Sequence, residues 1–151
     1  MASRDSIWVS LAQPSVAAVL LQFATGALNW NTDGVYSQAV LDHFKNPRNA
    51  GDLPGATAEV EVSNPACGDI MRLSARIEGG RIAEARFKTR GCVTAIACGS
   101  FLTELLVGKT LAEARAINYQ QMSDALGGLP SATMHGSQLA CDALEVLLAR
   151  L

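Results

Sequence analysis

The sequence has no cluster of basic residues and few aromatic side chains. Its 12 lysines and arginines are balanced by 14 aspartates and glutamates, which gives a formal charge of −2, and aromatic residues make up 5% of the chain. Surfaces that bind nucleic acid need a basic patch, and single-strand binders also need aromatic platforms for the bases. We therefore expect neither a nucleic acid nor an anionic membrane as a partner.

The apolar stretch near the amino terminus is too short to form a membrane span. It covers residues 14–24, whereas a membrane-spanning helix needs about 20 apolar residues. With Arg4 ahead of it, the stretch weakly resembles a secretory signal. The alternatives are a short extra helix, a frayed tail, or a start codon assigned upstream of a true start near Val35. We predict an N-terminal extension over residues 1–34 and a functional domain over residues 35–151.

Cysteine is scarce and widely spaced. The four cysteines form no CxxC pair, which argues against a zinc ribbon or a thioredoxin-type motif, and no dense disulfide framework is present. Scattered thiols together with an aspartate and a histidine indicate a reduced, cytoplasmic protein that binds metal or handles sulfur. The cysteines are Cys67, Cys92, Cys98 and Cys141.

The pattern of apolar residues predicts an α+β fold. A short helix with Tyr36, Val40 and Phe44 on one face should end at Asn46, because a residue before proline disfavours the helical conformation. Alternating residues predict strands over 59–62, 71–78 and 83–88. Helical periodicity follows over 94–107, 111–116, 123–126 and 134–151. We expect a three-stranded antiparallel sheet with helices packed on one face.

The register of the last two strands depends on the loop between them. A two-residue turn at Gly79 and Gly80 would place Leu73 opposite Arg86 and so mix apolar and charged side chains on one face. A three-residue loop that adds Arg81 pairs Ile77 with Ala83 and Leu73 with Phe87. We predict the three-residue loop, because a slip of one residue turns every core side chain to the other face of the sheet.

Four possible metal ligands lie at the edges of predicted elements. Two thiolates, one carboxylate and one imidazole make a complete tetrahedral set. Cys92 precedes a predicted helix, whose positive end should lower the pKa of its thiol. Taken singly, each residue also has an ordinary structural explanation, such as a turn, a cap or a packing role. The four candidates are Cys67, Asp69, Cys92 and His135.

The remaining cysteines and histidine are interpreted as structural. Cys98 shares a helix face with Leu102 and Leu105, which is a core pattern. Cys141 lies six residues after His135, so that a continuous helix separates the two by ~120° and ~9 Å. His43 is expected to be solvated or to pack against a loop.

Several short motifs, in order from Val35 to the end of the chain, resemble the iron–sulfur cluster scaffold family of the IscU/NifU type. The match is carried by Tyr36-Ser37, Asp42-His43-Phe44-Lys45-Asn46-Pro47-Arg48-Asn49, Ala66-Cys67-Gly68-Asp69, Phe87-Lys88-Thr89-Arg90-Gly91-Cys92, Ala95-Ile96-Ala97 and Gly108-Lys109-Thr110-Leu111.

The resemblance implies a scaffold that binds its cargo without turnover, and so no enzymatic activity. It implies that Cys67, Asp69, Cys92 and His135 hold iron and a transient [2Fe–2S] cluster, or zinc when the cluster is absent. The implied partners are a cysteine desulfurase, a source of iron with an electron donor, and acceptor apoproteins. The implied fold, an antiparallel sheet carrying helices, agrees with the pattern of strands and helices.

The sequence departs from the family's pattern at two places. The family has a cysteine directly after the histidine, where this chain has Gly136. A Leu-Pro-Pro-Val-Lys segment is also replaced, by Leu129-Pro130-Ser131-Ala132-Thr133. Two alternatives to a scaffold stay open: a sulfur-transfer protein that accepts a persulfide on Cys92, and a domain stabilised by zinc.

Overall fold

The computed structural model describes residues 36–151. The stretch at residues 14–24 and the predicted extension over 1–34 lie outside this part of the chain. Nine elements follow in order: helix α1 (Gln38–Lys45), strands β1 (Ala58–Ser63), β2 (Ile70–Glu78) and β3 (Arg81–Arg90), helices α2 (Val93–Leu106), α3 (Leu111–Arg115) and α4 (Tyr119–Ala125), a 3-10 turn (Ser131–Thr133), and helix α5 (His135–Ala149).

The predicted sheet is confirmed, with the strand order β1-β2-β3 and antiparallel pairing throughout. Helix α2 packs against β3 and helix α5 packs against β1 and β2, so that the two long helices cover one face. The other face carries cross-strand ion pairs, including Arg72 with Glu61 at 3.2 Å and Arg76 with Glu84 at 3.2 Å. The fold is therefore the two-layer α+β arrangement that the alternating strands indicated.

The predicted three-residue loop between β2 and β3 is wrong. Glu78 pairs with Arg81 and Ile77 pairs with Ile82, which leaves a two-residue turn of Gly79 and Gly80. The register then shifts between Arg76 and Ile77. This bulge inserts one extra residue in β3, and beyond it Leu73 lies opposite Phe87, as predicted.

Both turn glycines have positive φ angles, 59° at Gly79 and 75° at Gly80. Two consecutive positive φ angles are what a tight two-residue hairpin turn requires, and glycine adopts them at least cost. The turn chemistry thus favours the short loop, and the bulge restores the core register.

The helix predictions are confirmed, except that α1 begins at Gln38, after Tyr36, and that α4 is longer than expected. The sequence pattern predicts a single helical turn at 123–126, whereas the helix covers Tyr119–Ala125. Asn118 caps it by accepting a hydrogen bond from the backbone amide of Gln121, and Gln121 reaches back to the amide of Asn118. Such a capping box starts a helix without a long apolar stripe.

The core lies between the sheet and helices α2 and α5. Its largest buried side chains come from both layers, as expected for a single hydrophobic cluster. They include Met71, Leu73, Ile82, Leu102, Leu106, Leu139 and Leu147. In the described part of the chain, no helix is long and apolar enough to cross a membrane.

Candidate metal and cluster site

The four predicted ligands lie at one end of the domain. Cys67 and Asp69 belong to the loop between β1 and β2, and Cys92 caps α2 directly after β3. Ile70 pairs with Arg90, so these two chain segments meet at the same edge of the sheet. His135 is the first residue of α5.

A tight turn presents Cys67 to solvent. The amide of Gly68 donates to the carbonyl of Asn64 over 2.7 Å, and the amide of Asn64 donates to the carbonyl of Asp69 over 2.8 Å. Gly68 has a φ of 72°, a conformation that side chains other than glycine rarely adopt. The sequence Asn-Pro-Ala-Cys-Gly-Asp therefore folds into a loop that leaves the thiol of Cys67 exposed.

Asp69 is buried, with 8% of its surface exposed, and it faces Cys92. Its Oδ2 accepts a hydrogen bond from the backbone amide of Cys92 over 3.4 Å. The carboxylate lies so close to Gly91 that a Cβ there would come within 2.5 Å of its Cγ. Gly91 thus leaves room for a carboxylate beside the Cys92 turn.

The thiol of Cys92 contacts a buried hydroxyl. Its Sγ lies 3.1 Å from Oγ1 of Thr94, a residue with no exposed surface. Residue 92 as a whole is exposed, yet partial burial of the thiol raises its pKa, and the nearby Asp69 carboxylate raises it further. The hydrogen bonds from Thr94 and from the amide of Ala95 lower the pKa, but each of these effects is smaller than that of burial.

The expected lowering of the Cys92 pKa is therefore wrong in sign. Helix α2 does place amide donors near the sulfur, as predicted. Desolvation outweighs the effect of the helix amides on the pKa, because a partly buried thiolate loses some of the water that stabilises its charge. The metal-free protein consequently favours the protonated thiol at Cys92, and a bound cation would have to displace that proton.

The structure brings some of the predicted ligands together and leaves others apart. Asp69 and Cys92 are in contact, whereas Cys67 and His135 are exposed near the same end of the domain. Within residues 36–151, no three cysteine, histidine, aspartate or glutamate side chains are grouped closely enough to hold one metal ion. The two thiols, the carboxylate and the imidazole suit a soft metal. To bind one ion together, Cys67 and His135 would have to move closer to Asp69 and Cys92.

The other cysteines lie away from this end of the domain or within the core. Cys98 has no exposed surface, as predicted, and burial raises its pKa to about 12. Cys141 is half-buried, and its Sγ lies 3.6 Å from the sulfur of Met122. Burial raises the pKa of Cys141 to about 11.

His43 is buried and its ring packs against helix α2, so the expectation that it is solvated or packs against a loop is wrong. Its Nδ1 lies 2.8 Å from Oγ of Ser100, and its ring packs edge-on against Phe101. Its Nε2 lies 3.6 Å from Glu104. The same Ser100 hydroxyl accepts a hydrogen bond from the backbone amide of Arg48 over 2.8 Å. His43 therefore ties α1 and the following turn to α2.

Several residues around the ligands make contacts that the sequence did not predict. Gly91 and Thr94 adjoin Cys92, and the only signal for them was their place between a strand and a helix. Burial raises the pKa of the Tyr36 phenol, and the negative charge of the Cys92 thiolate raises it further. Gly136 contacts the first turn of α2. Gly91, Thr94 and Gly136 carry no thiol, carboxylate or imidazole, so residue type alone could not identify them.

The fold and the ligand set together define an α+β domain with two exposed thiols, a carboxylate and an imidazole at one end. Comparison with known proteins gives the family. Residues 35–150 match the model of the NifU-like N terminal domain. The chain belongs to this family.

Curated relatives cover most of the chain. It is 46% identical over 111 residues to the iron-sulfur cluster assembly scaffold protein IscU 1 of Archaeoglobus fulgidus, covering 74% of this chain and 72% of that protein. It is 46% identical over 114 residues to the IscU scaffold protein of Azotobacter vinelandii, covering 73% and 88%.

Solved structures share the fold. A NifU-like N-terminal protein from Brucella abortus superposes with a TM-score of 0.64 at 18% identity, covering 78% of this chain and 94% of that one. A scaffold protein for the SUF system from Fervidobacterium islandicum gives 0.58 at 22% identity, covering 78% and 98%.

Proposed function

We propose that this protein is an iron–sulfur cluster assembly scaffold that holds iron and a nascent [2Fe–2S] cluster as cargo. One observation carries the proposal: the buried carboxylate of Asp69 lies against the turn of Cys92, at the edge where the exposed thiol of Cys67 also lies. Membership of a family whose relatives are named as scaffolds supports it.

Each ligand has a distinct part in holding the cargo. Cys67 and Cys92 supply thiolates, which bind iron–sulfur clusters well. Asp69 supplies a weaker oxygen ligand that a competing thiol can replace, which favours transfer over storage. His135 supplies an imidazole from the start of α5. The contact between Asp69 and Cys92 prearranges half of this set.

The exposed position of the ligands suits a cargo that must leave. Cys67, Cys92 and His135 are all exposed, so that an acceptor apoprotein can reach the cluster from solvent. We propose a cysteine desulfurase as the sulfur source, together with an iron and electron donor. The protein would act in the cytoplasm and would catalyse no turnover of its own.

Anaerobic reconstitution with ferrous iron and sulfide tests the proposal. Visible absorption and counts of iron and acid-labile sulfide should show a cluster in the unchanged protein. Cys67→Ser and Cys92→Ser should lose most of the bound iron. Cys141→Ser is the matched control, because this half-buried thiol is not among the proposed ligands. Iron retention by both single variants would refute the ligand assignment.

A second function, acceptance of a persulfide, is supported by the exposure of Cys92 at the start of α2. Its thiolate would attack the terminal sulfur of a desulfurase persulfide, and the desulfurase thiolate would leave. The raised pKa of Cys92 disfavours the attacking thiolate in the metal-free protein. Mass spectrometry after incubation with a desulfurase and cysteine would reveal one added sulfur on Cys92.

A third reading, a domain stabilised by zinc, uses the same ligands. Two thiolates, a carboxylate and an imidazole form a tetrahedral zinc set. This reading predicts tightly bound zinc in the purified protein and a much lower melting temperature with chelator.

A further inference from the structure

A groove lies between three helices, away from the proposed ligands. Helices α3 and α4 both pack against α5, and between them they leave a cavity of about 650 Å³ that no side chain of residues 36–151 fills. Its apolar lining includes Ile117, Tyr119, Leu144 and Leu148. Binding pockets usually measure about 300–1,000 Å³, so the groove is large enough to receive several side chains.

The groove has an apolar centre and a polar rim. Leu144 and Leu148 are buried at its base, and Tyr119, the first residue of α4, is 45% exposed. The polar residues that line it are all exposed, and they are Arg115, Asn118, Asp142 and Glu145. A site for a small polar ligand needs polar groups that converge inside the pocket. An apolar centre within an exposed polar rim is instead the layout of a contact between protein segments.

The sequence contains an apolar segment that needs such a surface. Residues 6–32 carry no charged side chain. Within them, the stretch at residues 14–24 has valine, leucine and phenylalanine at positions 16, 19, 20 and 23, the spacing of one helix face. A helix of this length is marginal in water by itself, and the stretch is too short to span a membrane. Burial of its apolar side chains against a folded surface would stabilise it.

The described residues begin within reach of the groove. The hydroxyl of Ser37 donates a hydrogen bond to the carbonyl of Leu126, directly after α4. Tyr119, at the other end of α4, is seven residues and therefore ~10 Å from Leu126. The connection from the stretch to Tyr36 is residues 25–35, which span up to about 36 Å when extended. So short a connection gives the stretch a high effective concentration at the groove of its own chain.

We propose that residues 14–24 dock in the groove between α3, α4 and α5 of the same chain, with their apolar face against Tyr119. The docked segment covers the half-buried thiol of Cys141, which also lines the groove. This surface contains none of the proposed ligands, so the inference is independent of the proposed function. Cluster assembly that fails while the segment still docks would refute the proposed function alone.

Photo-crosslinking of the purified full chain tests the proposal. Tyr119→p-benzoylphenylalanine keeps an aromatic ring in the groove and reacts with neighbouring C–H bonds on irradiation. Mass spectrometry should find the crosslink at residues 14–24. In an equal mixture of isotope-labelled and unlabelled chains, crosslinks within one chain join only peptides of the same label. The control is Gln120→p-benzoylphenylalanine, because Gln120 is exposed on the same helix but does not line the groove.

A charge on the docking face should release the segment. Leu20→Asp should lower the docking equilibrium constant, taken from the crosslinked fraction, at least about tenfold, because one buried leucine contributes that much. Ala18→Asp is the matched control, since position 18 lies about 160° around a helix from position 20.

Tryptophan fluorescence gives an independent measure of docking. The two tryptophans of the chain, Trp8 and Trp30, flank the stretch. Leu20→Asp should therefore increase their quenching by acrylamide, whereas Ala18→Asp should not.

Four results would overturn the inference. Crosslinks that join mainly differently labelled peptides would mean that a second copy fills the groove. Crosslinks that avoid residues 14–24, or an equal yield from position 120, would mean that the stretch does not dock there. Equal losses in Leu20→Asp and Ala18→Asp would contradict docking through the face that contains position 20.

Discussion

At the scale of single residues, glycines determine where the Asp69 carboxylate and the Cys67 thiol lie. Gly91 leaves space for the Asp69 carboxylate, and Gly68 turns the loop that exposes Cys67. The sequence identified the ligand candidates because thiols, carboxylates and imidazoles have recognisable chemistry. It could not show that Asp69 contacts Cys92, because these residues are 23 positions apart and meet only through the pairing of β2 with β3.

The contact between Asp69 and Cys92 predicts the effect of removing the carboxylate. With Gly136 in place of a third thiol, Asp69→Ala leaves too few ligands, and we expect it to release the cluster rather than to stabilise it. Loss of a direct ligand should cost at least the roughly tenfold loss seen for supporting residues. The decay of the visible absorption after reconstitution measures this. Asp142→Ala, on the exposed face of α5, serves as the control, and a longer-lived cluster in Asp69→Ala would contradict the expectation.

His43 predicts a pH dependence of stability. Burial is the largest cause that lowers its pKa, and Arg48 adds to it, although Glu104 and Asp42 act in the opposite direction. The folded protein therefore binds this proton less readily than the unfolded chain, whose histidine has a pKa of about 6.5. The resulting stability is present above about pH 6.5 and is lost as the pH falls through the lower folded pKa.

Urea denaturation between pH 7.5 and pH 5 measures this contribution. His43→Gln should lower stability at pH 7.5 by about 1–3 kcal/mol, because the partner Ser100 loses part of its buried network. It should also flatten the decline in stability between pH 6.5 and pH 5. His135→Gln replaces the exposed histidine and should leave that decline in place. An equally steep decline in His43→Gln would show that other groups cause it.

At the scale of elements, regular patterns were predictable and local compensations were not. Alternation placed all three strands, and the proline after Asn46 correctly ended α1. The β2–β3 turn was mispredicted because a turn length was chosen on the assumption of a regular ladder. The bulge at Arg76 and Ile77 allows both the short glycine turn and the pairing of Leu73 with Phe87. A pattern of apolar and polar residues does not indicate where such a bulge interrupts the strand pairing.

Helix α4 was underestimated because its start depends on polar capping. Asn118→Ala should destabilise the protein by about 1 kcal/mol, the usual cost of losing an N-cap side chain. Chemical denaturation monitored by circular dichroism would measure this loss. Gln120→Ala, on the exposed surface of the same helix, should change stability by less than about 0.5 kcal/mol. Equal effects of the two substitutions would argue against the capping role.

At the scale of the whole molecule, the two-layer fold leaves two of the four cysteines exposed, buries Cys98 and half-buries Cys141. The sheet and α2 enclose Cys98, while the loop ends leave Cys67 and Cys92 exposed. The fold class was predictable from strands followed by helices. The convergence of the β1–β2 loop, the start of α2 and the start of α5 was suggested only by family resemblance, since these segments are far apart in sequence.

This difference in exposure predicts the order in which the thiols react. At pH 8, iodoacetamide should modify Cys67 and Cys92 in the folded protein well before the other two. Burial shields Cys98 and raises its pKa to about 12, and it raises the pKa of Cys141 to about 11, which leaves little thiolate at either site. A mass-spectrometric time course gives the order, and unfolding in urea should make all four react at similar rates. Early modification of Cys98 would contradict the packing of α2.

Metal analysis of natively purified protein decides whether this end of the domain carries an iron–sulfur cluster. Protein isolated without oxygen would be assayed for iron, zinc and acid-labile sulfide in one sample. We expect iron and sulfide in equal amounts, and we expect both to be absent when Cys67 and Cys92 are replaced together by serine. Stoichiometric zinc without sulfide, in protein that also forms no cluster on reconstitution, would contradict it.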